Sequence, residues 1–192
     1  LWPSGNIVAI KTPVFSMSKL AGVDTFLGPE MKSTGEVMGI DYQLGPALAK
    51  ALSASDMMLP PKGSVLLSIA DQDKAEALDI IRKLSSITYK LYATEGTAEM
   101  IRALGFPVTQ VVKFGQGHPD IVDIIQNGTV DVVVNTLTGH RIPLRDGFQI
   151  RRAAAERRIP CFTSMDTAKA AVDTLVNAPV EVSVKPLREY LK

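Results

Sequence analysis

The side chains suited to binding chemistry fall in short groups, each placed at or just beyond an apolar run. Ser68 and Lys74 bracket the end of the run Ser64 to Ala70, and Thr94-Glu95-Gly96-Thr97 follows Tyr89 to Ala93. Lys113 follows Val108 to Val112, and Asn135, Thr136, Thr138 and Gly139 follow Val130 to Val134. Together they offer ammonium groups, hydroxyls and an amide, with a glycine that leaves the next backbone amide uncovered. That set suits a phosphate. Lysines add point charge, hydroxyls donate to phosphate oxygens, and helix N-termini present free amides with a partial positive charge. Singly, each residue has a plainer role: Thr94 or Thr97 as a helix cap, Lys74 and Lys113 as solvated charges, Asn135 and Gly139 as turn residues. Their shared position at four successive strand ends is what points to an anion site.

Groupings that would carry catalysis are missing from the sequence. His118 and His140 have no cysteine or carboxylate spacing typical of a metal site. His118-Pro119-Asp120 reads as a helix start with Pro119 at an early helical position, and His140 falls at the predicted ligand edge. There is no G-x-S-x-G, no Walker loop and no G-x-G-x-x-G, and Gly115-Gln116-Gly117 is too short to count. No catalytic residue and no metal ligand is therefore assigned. Arg151-Arg152 and Arg157-Arg158 read as the solvated face of a helix.

These groups need a scaffold. Strands are expected over Ser64 to Ala70, Tyr89 to Ala93, Val108 to Val112, Val130 to Val134 and Ile159 to Phe162. Helices are expected over Asp73 to Leu84 (Ala77, Leu78, Ile81 and Leu84 inward), Gly96 to Leu104, His118 to Gln126 closed by Asn127-Gly128, Gln149 to Arg157, and Thr167 to Val176. Apolar strands alternating with amphipathic helices argue for an α/β fold. The expectation is a doubly wound, Rossmann-like, mainly parallel five-stranded sheet, with ligands beyond the carboxyl ends of its strands. Val180 to Lys192 adds an edge strand and a short helix.

Leu59-Pro60-Pro61-Lys62-Gly63 stops helix and strand alike. It divides the chain into residues 1–58, a linker at 59–63, and the α/β domain at 64–192. The first part reads as a strand at Ile7 to Ile10, a loop-rich stretch punctuated by Gly22, Gly28, Pro29, Gly35 and Gly39, and a helix from Tyr42 to Ser53 with Leu44, Ala47, Leu48 and Leu52 on one face. It holds too little apolar surface to stand alone and looks like the tail of another domain; a start at Leu1 agrees with a piece of a longer polypeptide.

Of the 192 residues 46% are hydrophobic, and the formal net charge is +1, so no broad field favours nucleic acid or a membrane surface. No apolar run reaches the ~20 residues a bilayer span needs. The single Cys161, in an apolar setting, reads as a buried structural thiol, in keeping with a reducing cytoplasm.

Residues Gly28 to Gly39 (GPEMKSTGEVMG), with the preceding Phe15 to Leu27, closely resemble the close of the second ATP-grasp unit in large subunits of the carbamoyl-phosphate synthase family. Ser64 to about Val176 resembles the methylglyoxal-synthase-like domain that ends the same subunit. The matching residues are Leu67-Ser68-Ile69, Asp73-Lys74, Ala93-Thr94-Glu95-Gly96-Thr97-Ala98, Asn135-Thr136 and Ile150-Arg151-Arg152. The resemblance implies a parent cytoplasmic ligase that makes carbamoyl phosphate from bicarbonate, glutamine-derived ammonia and ATP, for pyrimidine and arginine synthesis. It also implies a small glutaminase subunit as partner. ATP with Mg or Mn would belong to the parent; this piece would hold no cofactor.

The resemblance further implies that the 64–192 domain is allosteric and binds a phosphorylated effector of the UMP or IMP type. Family ligand positions match Ser68, Lys74, Thr94, Thr97, Lys113 and Asn135, and Asp146 matches another if one extra residue precedes it. Two departures stand out. Leu137, followed by Thr138, occupies the place of a second threonine. Cys161, Phe162 and Thr163 replace the Tyr-Asp-Thr of ornithine-binding members, which argues against an ornithine site. The alternative is a methylglyoxal-synthase-type lyase acting on dihydroxyacetone phosphate. It would need a carboxylate base, for which Asp71 and Asp120 are the nearest residues.

Overall fold

The computed structural model describes residues 6–15, 33–136, 145–177 and 183–190. Strands β1 (Val8–Phe15) and β2 (Ser33–Asp41) form an antiparallel pair in which Val8 faces Asp41 and Ile10 faces Gly39. Gly35 and Gly39, expected in loops, are thus strand residues; Gly22, Gly28 and Pro29 lie outside the described residues. Helix α1 (Leu44–Ala54) lies on this pair. Its buried face is Ala47, Ala49, Ala51 and Leu52, whereas Leu44, expected inward, is exposed.

The reason is a close approach of backbones. A Cβ on Gly39 would lie 2.0 Å from the Ala47 carbonyl oxygen and 2.6 Å from the Ala51 nitrogen. Only a glycine under a helix of small side chains allows that packing.

Beyond the linker, the chain alternates strand and helix as its patterning predicts. The elements are β3 (Ser64–Ser68), α2 (Lys74–Ser86), β4 (Lys90–Thr94), α3 (Glu95–Ala103), β5 (Thr109–Val111), α4 (Ile121–Gln126), β6 (Val132–Asn135), α5 (Arg145–Glu156), β7 (Cys161–Phe162) and α6 (Met165–Asn177). The five strands form one sheet in the order β5-β4-β3-β6-β7, with every pair parallel. In register, Leu67 sits beside Ala93, Ser68 beside Asn135 and Thr94 beside Val111.

Two hydrophobic layers cover the sheet. On one face, Val65, Leu67, Leu91 and Val132 pack under Ile80, Ile81 and Leu84 of α2, Ile101 of α3 and Val172 of α6. On the other, Leu66 and Val133 meet Ile121 and Ile125 of α4 and Ile150 and Ala154 of α5. This is the doubly wound sandwich. Ile80, rather than the expected Leu78, joins Ala77, Ile81 and Leu84 on the buried face of α2. Leu52 and Leu59 join the first layer, and α1 packs against α6, so the residues before the linker rest directly on the α/β domain.

Three boundaries differ from expectation. Asp71–Asp73 is a short 3-10 turn, so Lys74 opens α2. Pro119 lies outside α4, whose N-cap is Asp120 in a reciprocal capping box with Asp123. Helix α5 starts four positions before Gln149, which brings Asp146 into its first turn. At the C-terminus, residues 183–186 form no strand, and the expected short helix is α7 (Leu187–Tyr190); residues 178–182 are not described.

Candidate functional site

In a parallel sheet, side chains just past the strands' carboxyl ends converge where the strand order reverses. Here that switch point lies between β3 and β6, because β3 leads through α2 to one side and β6 through α5 to the other. Ser68 and Asn135 sit side by side at it.

The segment leaving β3 is tied from both flanks. The Ile69 amide donates to Thr97 Oγ1 at 3.2 Å, and the Ala70 amide to Thr136 Oγ1 at 2.8 Å. The Thr136 amide in turn donates to the Ser68 carbonyl at 3.1 Å. Both threonines are buried, and each hydroxyl that accepts from a backbone amide keeps its own proton for another acceptor. Thr94 is the N-cap residue of α3, although its side chain makes no capping bond, and Thr97 is not a cap at all.

Lys74 reaches across the opening. Its Nζ lies 3.3 Å from where a Cβ on Gly96 would be, and 2.7 Å from Asp71 Oδ1. The hydrogen bond from this ammonium holds the Asp71 carboxyl below its ordinary range. The cation therefore stands beside the N-terminus of α3, where exposed amides and the helix dipole favour an anion. Lys113 lies two residues beyond β5 and is exposed. Asp146, in the first turn of α5, is exposed as well. Thr138, Gly139 and His140 lie outside the described residues.

The sequence reading missed one residue here. Arg151 was placed on a solvated helix face, yet it is only 3% exposed, and its Nη1 donates to Asn135 Oδ1 at 3.1 Å. Arg152 follows the expectation, pairing on the surface with Glu156 at 2.8 Å. Arg151 turns inward because Gly147, one helical turn earlier, has no side chain. A Cβ there would lie 2.9 Å from Arg151 Nη1. The usable signal was Gly147 and Arg151 four positions apart, on the stripe that also carries Ile150 and Ala154.

His118 also departs from expectation, because carboxylates do surround it. Its Nδ1 lies 2.5 Å from Asp123 Oδ2, and ligand atoms of His118, Asp120 and Asp123 fall within 4.8 Å of one another. The carboxylates already have work: Asp120 accepts from the Val122, Asp123 and Gly115 amides, and Asp123 accepts from the Asp120 amide. The group reads as a cap. The two candidate bases for a lyase are committed likewise, Asp71 to Lys74 and Asp120 to backbone amides.

Residues 76–163 match the MGS-like domain family. The chain is 50% identical over 191 residues, 99% of its length, to the carbamoyl phosphate synthase large chain of Thermomicrobium roseum. It spans 18% of that relative's length. Among solved structures, a methylglyoxal synthase from Elizabethkingia anophelis NUHP1 aligns with a TM-score of 0.44 at 20% identity, covering 63% of this chain and 81% of that one. The resemblance read from Gly28 to Gly39 and from Ser64 to Val176 is borne out by the match along the whole chain.

Proposed function

We propose that this chain, which matches the MGS-like domain family over residues 76–163 and is similar along nearly its whole length to a carbamoyl phosphate synthase large chain, is an allosteric module binding a small phosphorylated effector. The observation that carries this reading is the convergence at the β3/β6 switch point. Lys74 stands over Gly96 at the start of α3, while Thr97, Thr136 and Asn135 line the segment Ile69-Ala70. A dianionic phosphate meets there one ammonium, free helix amides and hydroxyl protons, which is how phosphates are held without a metal.

In this reading the chain performs no chemistry itself. It serves a longer cytoplasmic ligase that makes carbamoyl phosphate from bicarbonate, glutamine-derived ammonia and ATP with Mg or Mn, in company with a glutaminase subunit. Ser68, Lys74, Thr94, Thr97, Lys113, Asn135, Thr136, Thr138 and Asp146 form its effector site. Regulation requires that the effector bind two states of the ligase with different affinity. Helix α1, packed on β2 on one side and α6 on the other, is the element through which that difference would pass.

Calorimetric titration with UMP and with IMP tests the proposal. Binding that weakens about tenfold or more in Lys74→Ala supports it, since a charge-assisted contact is worth roughly that much. Absence of heat and of a thermal shift with both nucleotides at about millimolar concentration rejects it.

A further inference from the structure

The side-chain orientation of Asn135 is set by a neighbour, Arg151. A guanidinium carries only donors. The nitrogen atom 3.1 Å from the Asn135 amide can therefore face only its oxygen, whichever way the amide is drawn. With Oδ1 turned to Arg151 Nη1, the edge of the Asn135 amide that faces away from the guanidinium is its NH2 group, the donor it can offer a ligand at the end of β6. Gly147 guards the arrangement from the other side: a Cβ there would fall 2.9 Å from Arg151 Nη1 and 3.4 Å from Asn135 Oδ1. The three residues form a closed contact that joins the first two turns of α5 to the carboxyl end of β6.

We propose that Arg151 is a positioning residue of the effector site, holding the Asn135 amide so that its NH2 edge faces away from the guanidinium and thereby selects effectors that offer a hydrogen-bond acceptor at that point. This deepens the effector-binding reading above and rests on it. Asn135 is the residue that touches the ligand, and Arg151 acts through it. A freely rotating asparagine would accept as readily as it donates; one pinned by a buried guanidinium discriminates by polarity, because an approaching donor meets a donor. The constraint also supplies preorganisation, since the amide is already fixed before the ligand arrives.

Two variants separate this role from simple packing. Arg151→Met keeps most of the buried stem and removes the fork. Gly147→Ala keeps the arginine but pushes it off Asn135, while alanine in a helix favours folding by up to about 1 kcal/mol over glycine. Each should weaken nucleotide binding about tenfold, as Asn135→Ala should, and Gly147→Ala should do so without a fall in thermal stability. Combining Arg151→Met with Asn135→Ala should cost no more than either alone, because the two act as one unit. Losses that multiply in the double variant, or full affinity in Arg151→Met, overturn the proposal.

A second measurement needs no ligand. In the wild-type chain, the Asn135 side-chain NH2 should give two well-separated NMR resonances. In both variants they should move toward the common position of solvent-exposed asparagines. Unchanged Asn135 amide signals in both variants would sink the positioning role even if nucleotides bind. If wild-type chain binds neither UMP nor IMP but the resonances move, the effector reading fails while the lock between Arg151 and Asn135 stands.

Discussion

Lys50 Nζ donates to the Tyr190 hydroxyl at 3.0 Å, joining helix α1 to α7 across 140 positions of sequence. The same ammonium lies 2.7 Å from Asp41 Oδ2 and donates to the Ile40 carbonyl at 3.0 Å. Burial works against its charge, but the bonds to Asp41 and Tyr190 prevail and hold it above the ordinary lysine range. The Tyr42 hydroxyl donates to the Glu189 carbonyl, and the Tyr42 and Tyr190 rings pack with centroids 5.4 Å apart. The end of the chain is thus fastened to the residues before the linker.

If this latch holds the tail, its parts can be weighed separately. Tyr190→Phe removes one hydrogen bond and keeps the ring, so it should cost about 1 kcal/mol of unfolding free energy. Tyr190→Ala also empties a buried position and should cost about 3 kcal/mol or more. Urea unfolding of the two variants beside wild type checks the ratio; equal losses would mean that the ring contributes nothing.

Gly39 gives a sharper case. Alanine at this position would drive a methyl group into the backbone of α1 at Ala47 and Ala51, where no side chain can move aside. We expect Gly39→Ala to destabilise the chain by about 3 kcal/mol, at the upper end for overpacking, with a lowered midpoint in thermal melts. Gly35→Ala in the same strand meets nothing within 4 Å and should be close to neutral, which makes it the control.

These two glycines mark where the sequence could be read and where it could not. The alternation of apolar runs with helical stripes named the five strands and five helices described from Ser64 to Asn177, though not the 3-10 turn at Asp71–Asp73. Strand ends followed from the same pattern, so Lys74, Thr97, Asn135 and Thr136 were legible as one edge. Roles that depend on a distant partner were not. Gly35 and Gly39 look alike in sequence, and only the helix folded onto Gly39 separates them. Arg151 looks like Arg152 until Asn135, sixteen positions earlier, arrives beside it through the strand pairing. Periodicity reports which face is apolar; it does not report that a charged side chain on that face has found its acceptor.

The contact between His118 and Asp123 predicts a pH response. The hydrogen bond to Asp123 raises the histidine above its ordinary range, and the same bond holds Asp123 below the usual carboxylate range. A raised histidine stabilises the fold fully below its unfolded value, and that contribution disappears as pH climbs through the folded value. The lowered aspartate contributes above its own unfolded value and loses this as pH falls through the folded one. The pair therefore helps most between these limits, in mildly acidic solution. His118→Gln should narrow the gap between melting temperatures at pH 5.5 and pH 8.5 relative to wild type, although the exposure of His118 keeps the effect small. A gap as wide in the variant as in wild type would assign the pH response to other groups.

Cys161 offers a probe of opening rather than of function. It lies in β7, packed against the second hydrophobic layer, and burial pushes its thiol up to about 12 despite the opposing charge of Arg151. The thiolate is the reactive form, so near neutral pH the native chain holds almost none of it. Cys161 pairs beside Val133 in the edge strand β7 and is half-buried, not the fully buried thiol its apolar setting suggests. Labelling with a disulfide reagent at pH 7.5 should accordingly be slow in native conditions, where little thiolate is present, and faster in denaturant, where the thiol returns to its ordinary range. In Arg151→Met the nearby positive charge is gone, so the intrinsic thiol becomes less acidic still. Faster labelling of that variant would then report loosened packing of α5 on the sheet, while unchanged or slower labelling would place the effect of Arg151 at Asn135 alone.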